Sequence, residues 1–127
     1  KYRTIHTEVW NECVRLLMPG GLFLLNCKDH VKYREIYRVT EWHVRTLAAL
    51  GLEPLSAEAV KLKGDQNTAA MRKRGVRVVD HEWVVALRKP AFKGSTLTPQ
   101  QMDDWVAQNL TEPVADKGPN ILDILNG

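Results

Sequence analysis

Residues 15–30 of the chain read RLLMPGGLFLLNCKDH, and this stretch carries the clearest structural signals of the sequence. Pro19, Gly20 and Gly21 are typical of a turn that ends a helix, and the run LFLLNC after them has the length of a β-strand. Because that run is apolar on both faces, it predicts a central strand of a parallel sheet that helices cover on both sides. A helix, a tight turn and a buried strand are typical of the second half of a βαβ unit.

The same pattern analysis extends outward in both directions. Apolar residues at helical spacing predict a helix over 7–18, with Thr7 as its N-cap, and a second helix over 35–50 that ends just before Gly51. Two further strands are predicted over 57–63 and 76–87, joined by the polar loop 64–75 and paired antiparallel. A last short helix is predicted over 99–109, with Thr98 as its cap and Pro99 at its first position.

The length of 127 residues provides for one modest core. It is too short for a complete doubly wound enzyme with a substrate domain. Residues 1–93 contain 17 Lys and Arg against 10 Asp and Glu, a balance of +7, whereas residues 94–127 have a balance of −4. We therefore divide the chain into an α/β domain over 1–93 and an extension over 94–127 that holds a linker, a short helix and an acidic tail. The basic body favours a polyanionic partner.

Composition also indicates the compartment. No apolar run approaches the about 18 residues of a membrane span, and the opening KYRTIHTEVW has no apolar stretch of the signal-peptide kind. Cys13 and Cys27 both have apolar neighbours, which is typical of buried thiols in a reducing compartment. We expect a cytoplasmic protein. Because the chain begins with Lys1 rather than Met, we expect either a processed start or a piece of a longer protein.

Three stretches of this pattern resemble the C-terminal half of a class I S-adenosylmethionine-dependent methyltransferase. They are RLLMPGGLFLLNCKDH (15–30), HVRTLAALGLEPL (43–55) and VVDHEWVVALRKP (78–90). The first looks like the family's frequent R-x-L-K-P-G-G helix end, which leads into the fifth strand of its sheet. The third resembles the last strand of methyltransferases that modify the exocyclic amino group of adenine or cytosine in DNA, where H-E, an apolar run and K-P recur. The resemblance covers residues 7–90.

This resemblance implies a fold and a cofactor. The fold is α/β, a partial doubly wound, Rossmann-like methyltransferase sheet that ends in an antiparallel strand pair, followed by a short helical C-terminal extension. The cofactor is S-adenosylmethionine. However, the family's Gly-rich cofactor loop and its D/N-P-P-Y/F catalytic tetrapeptide have no counterpart in residues 1–90. We therefore assign no catalytic and no cofactor-binding residue, and we do not expect the chain to be active alone.

Two functions remain open on this basis. The first is part of an S-adenosylmethionine-dependent methyltransferase that acts on nucleic acid, by resemblance on an amino group of a DNA base. Its partners would be DNA and either a complementing N-terminal half or a second copy paired through an exposed sheet edge. The alternative is a non-catalytic module of a phage or mobile element that keeps the half-fold and binds nucleic acid or a protein.

Polar residues follow the apolar strand directly, at the edge where α/β sheets bind their ligands. In the resembled family this loop lines the pocket for an extruded base, which implies Asn26 and Asp29 as pocket residues. The cations that interleave with Tyr33 could neutralise phosphates while the ring stacks on a base; they are Lys28, His30, Lys32 and Arg34. The alternative is a solvated strand end where Asp29 binds nearby amides and Tyr33 anchors a loop that leads into the next helix.

A second basic cluster lies in the loop between the last two predicted strands. Arg72, Lys73 and Arg74 would release counterions on binding a duplex, or they could simply keep a loop soluble and protect edge strands. No histidine or cysteine has the spacing of a metal site, so we predict no metal. Neither cysteine has a neighbouring base in sequence, which disfavours nucleophilic catalysis.

Overall fold

The structure is a computed structural model that describes residues 1–62, 73–74, 78–92 and 97–111. Its elements, in chain order, are α1 (Tyr2–Leu16), β1 (Leu22–Cys27), β2 (His30–Lys32), β3 (Glu35–Tyr37), α2 (Val39–Ala49), β4 (Glu53–Lys61), β5 (His81–Arg88) and α3 (Pro99–Asn109). The chain is therefore mixed α/β, as predicted. Within these residues no helix is both long and apolar enough to cross a bilayer.

The main sheet has the strand order β1-β5-β4. β5 lies in the middle and runs antiparallel to both neighbours, so that Leu22 of β1 and Glu53 of β4 both pair with Arg88. β1 and β4 consequently run parallel to each other. The predicted antiparallel pairing of the last two strands is confirmed, with a shift in register between Pro54 and Ser56.

The position of β1 differs from the prediction of a central strand in a parallel sheet. Among the described residues β1 pairs with β5 alone, and that pairing is antiparallel. Its side chains alternate, with Leu25 buried and Leu22 and Leu24 exposed by 55% and 69%. The reason is that the described helices contribute to a core on one face of this sheet, so the second apolar face of LFLLNC has no cover there.

The core lies between that covered face and the three helices. β5 contributes Trp83, Val85 and Leu87, and α2 contributes Val44 and Leu47, which are fully buried. Met102 and Leu110 bring α3 into the same core. The predicted division at residue 93 falls in a segment outside the described residues, and the helix beyond it packs on the α/β body.

The Pro-Gly-Gly turn has the predicted place between helix and strand. Gly20 has a φ of +81°, which glycine adopts without strain. A Cβ on Gly21 would lie 2.8 Å from the carbonyl oxygen of Met18, so this position also requires glycine. The turn is bonded to the end of β5, because Gly20 N donates to Lys89 O (2.7 Å) and Lys89 N donates to Gly21 O (2.9 Å).

Several predicted boundaries were wrong. α1 begins five residues before Thr7, whose hydroxyl donates to Arg3 O inside the helix and so caps nothing. The helix predicted over 35–50 begins at Val39, because residues 30–37 form the hairpin β2–β3. The two later strands begin and end elsewhere than predicted, at Glu53–Lys61 and His81–Arg88.

The short helix predicted over 99–109 is confirmed as α3. Gln101 N donates to Thr98 Oγ1 (3.2 Å), and Thr98 N donates to Gln101 Oε1 (2.9 Å), which together form a capping box. Pro99 occupies the first turn, as predicted. Here the signal was local, so sequence reasoning was sufficient.

Candidate functional site at the carboxyl end of strand β1

Asp29 lies just beyond the carboxyl end of β1 and is 3% exposed. Its Oδ1 accepts a hydrogen bond from the backbone N–H of Thr40 (2.9 Å), in the first turn of α2. A carboxylate at a helix N-terminus satisfies an amide that has no partner within the helix, and it interacts favourably with the helix dipole. Asp29 therefore binds a nearby amide through one carboxylate oxygen, as the alternative interpretation of this loop predicts.

A cavity of about 390 Å³ opens beside Asp29. This volume falls in the range of small-molecule pockets, about 300–1,000 Å³. Arg38, Glu41 and Thr40 line it from the start of α2, and Trp83 of β5 lines it from the sheet. The last turn of α3 and the residues after it close the far side with Val106, Ala107, Leu110 and Thr111.

The far wall of the cavity is attached to α2 through a charged contact. Arg45 of α2 donates to Asp103 of α3 (2.9 Å) and to Glu41 of its own helix (3.2 Å). All three side chains are at least partly exposed, so these ion pairs add little stability. They nevertheless bring Glu41, which lines the cavity, into one charge network with the helix opposite.

Thr40 is the most enclosed polar residue of this cavity, with 1% of its surface exposed. Its Oγ1 has no hydrogen-bond partner of good geometry among the described residues. Burial raises the pKa of the neighbouring Cys27 thiol, more than its contact with Thr40 lowers it, so the thiol stays protonated at neutral pH and is a poor nucleophile. The cavity is thus lined by the charged residues Asp29, Arg38 and Glu41 and by the aromatic residue Trp83, which are residue types that can hold a polar aromatic ligand.

Asn26 and Asp29 were predicted to share one pocket, but the structure does not bring them together. Asn26 is exposed on the open face of β1, and its Nδ2 donates to Glu82 Oε1 (3.4 Å). Asp29 is buried instead on the covered side. The separation follows from strand geometry, since successive side chains of a strand point to opposite faces of the sheet.

The predicted nucleic-acid-binding residues fall into two groups. Lys28 precedes the hairpin β2–β3, His30 and Lys32 lie on β2, and Arg34 lies in its turn, so the structure brings these four exposed residues together. Lys73 and Arg74 are exposed, and Arg72 lies outside the described residues.

Sequence reasoning missed most of the cavity lining. Arg38, Thr40 and Glu41 fall within the helix predicted over 35–50, and Trp83 falls within the strand predicted over 76–87, and neither pattern indicates a cavity. The part of the lining that α3 contributes could not be predicted from the sequence, because the local pattern of a helix does not show which distant element it packs against. Among the described residues there is also no cluster of His, Cys, Asp or Glu that could hold a metal ion.

The glycines of the chain's strongest motif do not fit a cofactor cradle. Gly20 N and Gly21 O are bonded to the backbone of Lys89, and Gly21 is packed against Met18 and Leu17. Their role is to turn the chain from α1 into β1.

Comparison with known proteins gives a structural relative. No family model matches the chain, and no curated protein is similar to it in sequence. Its fold is similar to that of a candidate DNA modification methylase from Thermus thermophilus, with a TM-score of 0.54 and 21% identity over 76% of this chain. The match spans 40% of that protein. The chain therefore has a methyltransferase-like α/β fold that corresponds to less than half of the relative's length.

Proposed function

We propose that this chain is part of an S-adenosylmethionine-dependent methyltransferase that acts on nucleic acid, with an amino group of a DNA base as its target. The observation that carries the proposal is the structural similarity to a candidate DNA modification methylase over 76% of the chain. The sequence motifs that resemble the DNA-modifying branch support the same function. In this proposal the protein acts in the cytoplasm.

The cavity beside Asp29 receives the extruded base. It lies just beyond the carboxyl end of β1, and a flipped base is held by hydrogen bonds and by aromatic or apolar side chains. Asp29 supplies a hydrogen-bonding group and Trp83 an aromatic one. Asn26 points to the opposite face of the sheet and cannot line this cavity, so we propose it only as a nucleic-acid contact on the open face.

The hairpin cations contact the nucleic-acid backbone. Lys28, His30, Lys32 and Arg34 follow the end of β1 along the chain, and Arg72, Lys73 and Arg74 in the predicted loop 64–75 are a second group of cations for such contacts. Phosphate contacts of this kind position a protein on DNA without reading its sequence.

The remainder of the methyltransferase supplies S-adenosylmethionine binding and catalysis, and it covers β1. Leu22 and Leu24 on the open face of that strand are more than half exposed, and a strand edge offers unpaired N–H and C=O groups to a further strand. α1 also exposes Ile5, Val9 and Leu16 along one side. A complementing half or, failing that, a second copy of the chain would bury this surface.

A titration with DNA tests the binding part of the proposal. We expect the 127-residue chain to bind a short DNA with an affinity that falls as salt rises, because phosphate contacts release counterions. Exchanging Arg72, Lys73 and Arg74 together for Ala should weaken binding and flatten that salt dependence. Absence of binding at low salt would contradict the proposal.

A calorimetric titration with S-adenosylmethionine tests whether the cofactor site lies outside this chain. We expect no binding heat from this chain, because the Gly-rich cofactor loop of the resembled family has no counterpart in residues 1–90. Tight binding would show that the chain holds its own cofactor site, and the assignment of cofactor and catalysis to another part would be wrong.

A further inference from the structure

The tip of the hairpin β2–β3 has an unusual backbone for its residues. Lys32 pairs with Glu35, which leaves Tyr33 and Arg34 as the two central residues of the turn. Both have positive φ, 52° and 64°. Two-residue hairpin turns with this backbone strongly favour Asn-Gly, because side chains of L-residues disfavour the left-handed region. Turn formation therefore does not explain a tyrosine followed by an arginine.

Tyr33 also has no packing role in the described structure. Its side chain is 84% exposed, whereas an anchoring tyrosine would be buried. The hairpin is held instead by Val31 and Ile36, which form one cross-strand pair and are half-buried. The one ring contact at the tip is with a cation, since Lys32 Nζ lies 5.4 Å from the centroid of the Tyr33 ring.

The charge around this ring is mostly positive. Lys28, Lys32, Arg34 and Arg38 are exposed on or beside the hairpin, against the single exposed carboxylate of Glu35 in the segment 28–38. An exposed aromatic ring among cations is the combination with which proteins bind nucleic acid whose bases are unpaired. Cations attract the phosphates, and the ring offers a flat face to a base.

We propose that Tyr33 stacks on an unpaired nucleobase, which extends the proposed function by naming the residue and the form of nucleic acid that it contacts. Stacking requires that the Tyr33 ring lies against the face of a base. In a duplex the base faces are covered by their neighbours, so the ring needs a single strand or a base that has left the stack. Residues held in the left-handed region are frequent at ligand-binding sites, which agrees with a binding role for this turn.

The variant Tyr33→Asn separates binding from folding. Asparagine tolerates positive φ better than tyrosine, so the turn should become easier to form while the ring is lost. We expect this variant to unfold no more easily than the parent chain. Its affinity for a fluorescently labelled single-stranded DNA of about 16 nucleotides, measured by anisotropy, should fall about 10-fold or more, in line with alanine exchanges of stacking residues.

Two further variants complete the experiment. Tyr33→Trp keeps an aromatic face and should retain single-strand affinity within about 3-fold. Phe92→Ala removes another exposed ring, 83% exposed and outside the hairpin, and should leave binding unchanged. Affinity for the corresponding duplex should change little in Tyr33→Asn, because that binding depends on phosphate contacts.

Each contrary result has a defined meaning. If the parent chain binds neither single strand nor duplex, both the nucleic-acid function and this inference are wrong. If it binds DNA and Tyr33→Asn binds equally well, the inference is wrong while the proposed function stands. The same holds if Tyr33→Asn weakens single-strand and duplex binding by equal factors.

Discussion

His43 illustrates how one residue connects two helices. It is 3% exposed in α2 and contacts two side chains of α1. Trp10 Nε1 donates to its Nδ1 (2.9 Å), and Tyr2 Oη lies 2.8 Å from its Nε2. An indole N–H can only donate, so Nδ1 is the acceptor, and the ring hydrogen of the neutral imidazole is on Nε2, where it donates to Tyr2.

This arrangement predicts a pH-dependent stability. Burial, with a smaller contribution from nearby His6, lowers the pKa of His43 to about 4. Between the ordinary pKa and this one, the unfolded chain binds a proton that the folded chain does not. Stability is thus fully present above the unfolded pKa and is lost as pH falls. We expect a loss of about 2 kcal/mol from His43 between about pH 7 and about pH 5.

Urea unfolding at the two pH values measures this loss. The comparison is with His43→Phe, which removes the titrating ring and keeps an aromatic side chain at this position. The variant should be less stable at neutral pH, because Trp10 and Tyr2 lose their hydrogen-bond partner. An unchanged pH slope in His43→Phe would disprove the assignment.

At the scale of elements, Lys89 joins β5 to the end of α1. Its Nζ donates to Val14 O and to Leu17 O, both at 2.7 Å. These carbonyls belong to the last turn of the helix, where the acceptors have no intrahelical donor and the dipole favours a cation. The K-P motif that resembles a family signature therefore has a structural task in this chain.

Exchange of Lys89 for Met tests that task. The variant keeps the length of the side chain but removes the donors, so we expect a loss of about 1.5–3 kcal/mol in the free energy of unfolding. Thermal and urea unfolding would measure it. Arg88→Met serves as control, because Arg88 is the exposed residue just before Lys89, at the end of β5; equal losses in the two variants would contradict the role given to Lys89.

The sequence predicted the type and boundaries of some elements and missed others. α3 was predicted with its boundaries because its cap, its first-turn proline and its apolar face all lie within a few residues. The hairpin β2–β3 was missed because its turn uses Tyr33 and Arg34 where a Gly or Asn would have given the signal. Three-residue strands also carry too few residues to distinguish a period of two from a helical one.

For the molecule as a whole, one edge of β1 matters most, because no other described strand pairs with it. The strand pairs on one side in the described sheet, and Leu24 on its open face is 69% exposed. Apolar edge strands associate unless charge or cover prevents it. We expect the isolated chain to self-associate as its concentration rises.

Sedimentation velocity tests this expectation with matched variants. Leu24→Lys places a charge on the open face of β1 and should shift the chain toward monomer. Phe92→Lys adds the same charge at another exposed apolar residue, outside the sheet, and should leave the association unchanged. If both variants dissociate the chain equally, the effect is one of net charge and the edge of β1 is not the contact.

The sequence predicted the composition of the fold better than its arrangement. The order helix, turn, strand, helix and antiparallel strand pair followed from local periodicity. Sequence could not place β5 between β1 and β4, because strand order depends on contacts between residues such as Leu25 and Val85, far apart in the chain. The lining of the cavity was predicted only in part. Asp29 follows a predicted strand and was named as a pocket residue, whereas Leu110 follows a helix that is distant in sequence, and no local pattern assigned it to the cavity.

The activity that we propose is methyl transfer to nucleic acid by a protein that includes this chain. Expression of the complete reading frame that encodes the chain allows a measurement of the transfer of a labelled methyl group from S-adenosylmethionine to DNA. We expect transfer to DNA, and we expect the frame to encode a Gly-rich cofactor loop and a D-P-P-Y-like tetrapeptide before Lys1. A product without these motifs that transfers no methyl group would contradict the claim and favour a non-catalytic module.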